Sequence, residues 1–379
     1  MKLLINTSTL KGTGVTQVAT SFIYECINFP ENQYYIFLSP KVSSSINRSE
    51  FPSNFIFYEF GKRQLYGVNG WKELNQMKQI ERDIRPDIVF SVFGPSIWTP
   101  SSPHLMGYAY PHYVYPDSPY FKIISIKEKA IILVKKMVHI ALLKNNGRYY
   151  VCETEDVSNR LSKYFNIDRQ NIFTVYNTAS AIFLKYKMSK DKSILNNEAK
   201  EFRFYSLCSP YRHKNLQILN EVVPLLKNMR LNRDVKFYVT IPNSDYINIF
   251  NEDIRKDVIN VGPLSINQCP GFVSECDALF LPTLLECYSA NYPEAMALQK
   301  PILTSNLPFA KTVCGDAALY FDPLEPESIV NCIVKIVNNI MLYKEFQNKG
   351  RNRLLYFGGP ELRAKKYLEI CQKILQNNT

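Results

Sequence analysis

CDALFLPTLLECYSANYPEAMALQKP, residues 276–301, is the stretch whose reading decides the fold. The apolar run 278–282 reads as a short buried parallel strand, and the polar turn after it leads into a small-residue helix closed by Lys300 and Pro301. A strand, a turn and a helix N-terminus in that order form an anion cradle. Backbone N–H groups of residues 289–292 are expected to face a diphosphate, aided by the positive end of the helix dipole. Glu286 and Glu294, separated by seven residues, bracket that cradle. Carboxylates accept hydrogen bonds from hydroxyls, so one can reach a sugar and the other a ribose. The expected ligand is therefore a nucleotide sugar.

The Glu, seven residues, Glu pattern resembles the signature of retaining glycosyltransferases of the GT-B fold, family 4, also called glycosyl transferases group 1. The likeness continues through Lys300, Pro301, Ser305, Gly315, Asp316, Ala317, Ala318, Asp322 and Pro323. The resemblance implies an α/β protein with two Rossmann-like, doubly wound parallel-sheet domains facing a central cleft. It implies transfer of a sugar from a nucleotide-diphosphate donor to an acceptor hydroxyl, in surface polysaccharide or lipopolysaccharide assembly. Where the family has glycines after the first Glu, this chain has Cys287, Tyr288, Ser289 and Ala290.

Composition agrees with a globular protein. The 379 residues are 46% hydrophobic and 13% aromatic, enough for two domains that each bury a core. No apolar run reaches the roughly 20 residues needed to span a bilayer. The N-terminus MKLLINTSTLKGTG turns polar after five residues, unlike a signal peptide, so a cytoplasmic location is expected. Nine dispersed cysteines without a Cys-x-x-Cys pair read as buried thiols. A net charge of +11 favours an anionic partner. No nucleic-acid-binding motif is present, which leaves an anionic membrane surface and a diphosphate-linked acceptor; the resemblance implies a glycan or lipid-linked acceptor. Residues 121–144 carry six lysines and one acid, Glu128, among many aliphatic residues. That composition suits a helix lying on an anionic membrane, and equally a packed helix with solvated lysines.

Strand and helix signals alternate along the chain. A first sheet is expected from 3–8, 34–40, 54–60, 86–93, 104–111, 148–154 and 172–177, and a second from 202–210, 235–241, 258–264, 276–283, 301–306 and 318–323. The domains read as 1–178, joined by a returning helix 360–379, a linker 179–201, and 202–358. The resemblance gives the first to the acceptor and the last to the nucleotide sugar.

Three further segments carry candidates. In LKGTGVTQVATSF, Gly12 and Gly14 precede a helix; glycines there permit positive φ and close approach to a ligand. In SLCSPYRHKNLQILN, Lys214 matches the family lysine that neutralises the leaving diphosphate. The family arginine falls at Ser209, and Arg212 is a candidate replacement. In GYAYPHYVYPDSPYF, His112 and Asp117 are candidates near an acceptor, with a packed histidine as the plain reading of His112. The resemblance thus makes Glu286, Lys214 and His112 catalytic, and Gly14, Ser209, Arg212, Lys214, residues 286–290 and Glu294 donor-binding. No Asp-x-Asp motif and no metal-ligand spacing occurs, so neither metal nor other cofactor is expected. Alternatives are a sugar-nucleotide epimerase or hydrolase, and a catalytically silent homologue that scaffolds a partner.

Overall fold

The strand segments are short and rich in Val, Ile, Leu, Tyr and Phe, and most are buried on both faces, as parallel strands covered by helices must be. The computed structural model describes residues 1–60, 68–187, 194–195 and 201–377. It divides into two units: 1–114, 124–177 and 359–379 form the first, 115–123 and 178–358 the second.

The first unit holds β1 (Lys2–Asn6), β2 (Gln33–Leu38), β3 (Phe55–Glu59), β4 (Ile88–Ser91), β5 (His104–Tyr108), β6 (Tyr149–Cys152) and β7 (Ile172–Thr174) in the order β3-β2-β1-β4-β5-β6-β7. The second holds β8 (Phe202–Ser206), β9 (Val235–Val239), β10 (Val258–Asn260), β11 (Ala278–Leu281), β12 (Ile302–Ser305) and β13 (Ala318–Phe321) in the order β10-β9-β8-β11-β12-β13. Every pairing is parallel, with Leu4 opposite Tyr35 and Val89, and Phe204 opposite Phe237 and Ala278. Both sheets are doubly wound, with order reversing on either side of β1 and of β8. Each strand overlaps the range expected from sequence, β1 and β2 beginning one residue earlier at Lys2 and Gln33, and the ranges overrun at their C-terminal ends. The apolar stretch continues beyond the last ladder bond into loops that leave the sheet, as 202–210 shows against Phe202–Ser206.

Helices cover the sheets. In the first unit are α1 (Thr13–Glu25) and α2 (Ile126–Asn146); in the second, α3 (Asn291–Ala297), α4 (Pro308–Cys314), α5 (Pro326–Asn338) and α6 (Ile340–Phe357). The chain leaves the second unit at Gly358, whose φ of +67° only glycine adopts readily. It then forms α7 (Pro360–Gln376) in the first unit. There Tyr367 packs edge-on to Phe22 of α1 at 5.3 Å and against Phe90 of β4 at 5.1 Å. Arg363, buried, donates to Ser21 Oγ at 2.7 Å and to Asn177 Oδ1.

Of the expected linker 179–201, 188–193 and 196–200 lie outside the described residues. Ala181–Leu184 makes one helical turn, and the N–H groups of Ile194 and Leu195 donate to Glu275 of the second unit at 2.8 and 2.6 Å. Residues 115–123 were read with the first domain, yet they pack with the second, held by contacts described below.

Beneath the reversal point of the first sheet lies a buried polar relay. Asn6 Nδ2 donates to Ser91 Oγ at 2.9 Å, Ser91 Oγ meets His104 Nε2 at 2.8 Å, and His104 Nδ1 meets the Asn146 carbonyl at 2.5 Å. His104 lies in a largely apolar stretch of sequence, and the strand pairing brings it to these polar partners. Burial lowers its pKa from 6.5 to about 4, against the opposing pull of the Asn146 carbonyl.

Two outcomes are expected. Because the folded pKa of His104 lies below its unfolded value, the unfolded chain binds the extra proton first. Stability should therefore be complete above pH 6.5 and fall as pH drops towards about 4, measured by denaturant unfolding, with His104→Gln flattening that dependence. Tyr367→Ala should lower the stability of the first unit by about 3–5 kcal/mol, read from the shift in its unfolding midpoint.

Candidate functional site

An open parallel sheet wound in two directions leaves a crevice at the carboxyl ends of the strands where the order reverses. In the second sheet β8 sits between β9 and β11, so the loops after β8 and β11 diverge from neighbouring strands. These loops carry Ser209, Arg212 and Lys214 on one side and residues 286–290 on the other. They are tied together at three levels. Ser206 Oγ donates to the Phe280 carbonyl at 2.6 Å. The His213 carbonyl accepts from Leu284 N at 2.7 Å and Thr283 Oγ1 at 3.1 Å. Asn291 Nδ2 donates to the Leu207 carbonyl at 3.0 Å.

The turn Arg212–Lys214 ends at Asn215, whose φ of +56° places it in the left-handed region that Asn tolerates better than most residues. Its side chain secures that turn, donating to the Pro323 carbonyl at 2.8 Å and accepting from Gln217 at 2.9 Å. The result is a direct ion pair between Lys214 Nζ and Glu286 Oε1, with each side chain about one-eighth exposed. Thr283 Oγ1 lies 3.4 Å from the same carboxylate oxygen. Burial alone would lower the Lys214 pKa; the Glu286 carboxylate outweighs it and holds the ammonium above its ordinary value. Lys214 is therefore charged throughout the neutral range, and its ammonium has further hydrogens to offer an anion. Burial also pushes the neighbouring Cys208 thiol up to about 11, which leaves it protonated. Removing one member of such a pair strands the other charge, at a cost of up to about 3–5 kcal/mol.

The helix α3 starts at Asn291, so Glu294 stands in its first turn, buried. Tyr292 is fully buried and its hydroxyl meets Thr304 Oγ1 at 2.9 Å, anchoring the helix to β12. The cradle expected over residues 289–292 is narrower, because Tyr292 N already donates to the Ser289 carbonyl at 3.3 Å. Cys287, Tyr288 and Ser289 are buried and Ala290 is half-buried at the helix entrance. Ser209 is half-buried; Arg212 is exposed, and its guanidinium donates to the Ile123 carbonyl.

The last bond belongs to a feature the sequence did not announce. Residues 115–123 run alongside the loops that carry Lys214 and Glu286. Ser118 Oγ donates to the Leu284 carbonyl at 2.6 Å and accepts from Tyr120 N at 3.1 Å. Tyr120 packs edge-on to His213 at 6.2 Å, and Tyr115 likewise to Phe309 of α4. Asp117 stands in this segment, lining a cavity of about 270 Å³ with Lys122, Asn306, Asp322 and Glu325. The five tyrosines around His112 were the visible signal, but their partners are too distant in sequence to infer.

Gly14 and His112 belong to the first unit. Gly12 caps α1 with φ of −73° and Gly14 lies within its first turn, so neither uses positive φ. A Cβ on Gly14 would meet nothing within 4 Å; the residue leaves open space at the helix entrance. His112 sits half-buried in the short helix Pro111–Val114, its pKa lowered by burial and by Lys135. His139 meets the Tyr113 hydroxyl at 3.0 Å in an aromatic cluster with Tyr110.

Residues 202–339 match the family described as glycosyl transferases group 1. A curated relative, the O-antigen chain mannosyltransferase RfbU of Salmonella typhimurium, is 22% identical over 186 residues. That match covers 48% of each chain, about half the length of the relative. Among solved structures, a glycosyltransferase from Rickettsia africae superposes with a TM-score of 0.73 at 15% identity, over 99% of each chain. HepE from Anabaena, solved with UDP and glucose, gives 0.72 at 13% identity over 98% of this chain and 100% of that one. The likeness extends over both units, and the fold is GT-B.

Ser118→Ala would leave the Leu284 carbonyl without its buried donor, at a cost of about 1–3 kcal/mol. Amide exchange should accelerate in residues 282–290 while the core of the first unit is unchanged. Equal exchange in wild type and variant would show that the segment does not hold the loop.

Proposed function

We propose that this chain, whose residues 202–339 match the glycosyl transferases group 1, transfers a sugar from a nucleotide-diphosphate donor to an acceptor hydroxyl. The observation that carries this reading is the Lys214–Glu286 pair at the reversal point of the second sheet. A donor diphosphate takes the remaining hydrogens of the Lys214 ammonium without displacing Glu286. The second carboxylate oxygen of Glu286, with no partner among the described residues, accepts from a sugar hydroxyl. Glu294 accepts from the ribose. The two loops thereby fix the donor at both ends of its scissile bond, which holds the anomeric carbon in place for attack.

In the transfer, the bond from the anomeric carbon to the diphosphate oxygen breaks and a bond to the acceptor oxygen forms. The acceptor proton passes to the departing phosphate oxygen, on the face the leaving group vacates. This front-face course retains configuration and suits a site whose cysteine is protonated. Lys214 stabilises charge on the diphosphate as it departs, a contribution of the kind that commonly reaches 10²–10³-fold. Gly14 leaves room at the entrance of α1, and the first unit, with His112, receives the acceptor.

The names of the relatives support the setting. RfbU is an O-antigen mannosyltransferase and HepE is seen with UDP and glucose, so a hexose donor carried on UDP or GDP is the first choice. The acceptor is a glycan or lipid-linked glycan of a surface polysaccharide, met at the inner face of the cell membrane.

The test is a thermal-shift and transfer assay with UDP, GDP and their hexose conjugates. Wild type should be stabilised by one nucleotide series, and Lys214→Met and Glu286→Gln should each lose about a hundredfold or more in transfer. The double variant removes both charges, so its loss of donor binding cannot come from a stranded ion. Full transfer in either single variant, or wild type indifferent to all of these nucleotides, would overturn the proposal.

A further inference from the structure

We infer that α2 (Ile126–Asn146) docks the protein on an anionic lipid surface, through an apolar face that the fold turns outward. The sequence showed aliphatic residues around most of this helix and could not say which faced the core. The structure assigns Leu143 and Asn146 to the buried side, with Ile132, Lys136, His139 and Leu142 half-buried beside them. Lys136 turns inward, donating to the Tyr113 carbonyl at 3.3 Å, so it leaves the set of solvated lysines.

On the opposite side stand Ile126, Ile131, Leu133, Val134, Met137 and Val138, each more than half exposed. Most recur at three- and four-residue steps, which place them on one side of the helix. A helix that serves only the fold presents polar residues there. Lys129 and Lys135 flank this face on its two edges and Lys127 and Lys144 stand near its ends, all four exposed. The single acid, Glu128, is engaged in the N-terminal cap, where its carboxylate accepts from Ser125 N at 2.7 Å.

Apolar centre and cationic rim match the acyl boundary and anionic headgroups of a bilayer. The same rim argues against a second copy of the chain, which would set lysines against lysines. The helix lies on the surface: no helix among the described residues is long and apolar enough to cross a membrane. Nothing here depends on the sugar chemistry proposed above.

Co-sedimentation with vesicles tests the inference. Wild type should bind vesicles of phosphatidylglycerol and phosphatidylcholine in equal parts far more strongly than phosphatidylcholine alone. Leu133→Ser/Val134→Ser/Met137→Ser should weaken binding by on the order of tenfold per residue. Replacing Lys127, Lys129, Lys135 and Lys144 by Gln should weaken it about fivefold per lysine and flatten its salt dependence. Both variants should keep wild-type circular dichroism and nucleotide-induced thermal shifts, which separates this result from any failure of the donor site. Undiminished vesicle binding by either variant would overturn the inference. So would equal affinity for neutral vesicles, or a wild-type dimer that only the serine variant dissociates while vesicles go unbound.

Discussion

The reversal of strand order beside β8 is the constraint on which the candidate site rests. Because β8 pairs with β9 on one side and β11 on the other, the loops leaving β8 and β11 pass over the same end of the sheet. Lys214 and Glu286 are 72 residues apart in sequence, and that topology makes them partners. Hydrogen-bonded ties between the ends of β8 and β11 and between the segments that follow them fix their spacing before any side-chain charge is considered. The ion pair is then held in one geometry at little further entropic cost, because the backbone has already been ordered.

A site of this kind gains from being assembled before its ligand arrives. Lys214 and Glu286 pair in a setting with little water, and the carboxylate holds the Lys214 ammonium charged and aimed. Each retains a valence for a ligand that is itself anionic at one end and rich in hydroxyls at the other. The segment 115–123 adds a brace from outside the sheet, since Ser118 satisfies the Leu284 carbonyl two residues before Glu286. A loop that carries a charge needs such support, because an unmet carbonyl beneath it would favour rearrangement.

The two units also exchange chain. Residues 115–123 pack with the second, and α7 returns to the first, where Tyr367 and Arg363 enter its core. The helix α2 shows a different economy: its inner side is fixed by Leu143 and the cap at Ser125, while its outer side is left apolar. Fold and surface make separate demands on one helix, and its sequence satisfies both.

Much of this was legible in the residues. Alternation of apolar runs with helical segments located the thirteen strands found among the described residues, because a buried parallel strand needs a short run of apolar residues wherever it occurs. The run before Glu286 and the small-residue helix after it gave the position of both carboxylates on the same principle. Contacts between distant segments were not legible. The pairing of Lys214 with Glu286, the brace from Ser118, the relay through His104 and the inward turn of Lys136 each depend on strand order and helix rotation. Local pattern reports which residues prefer burial. Which neighbours they meet there, and which of two apolar helix faces is left to the outside, is decided by packing the whole chain.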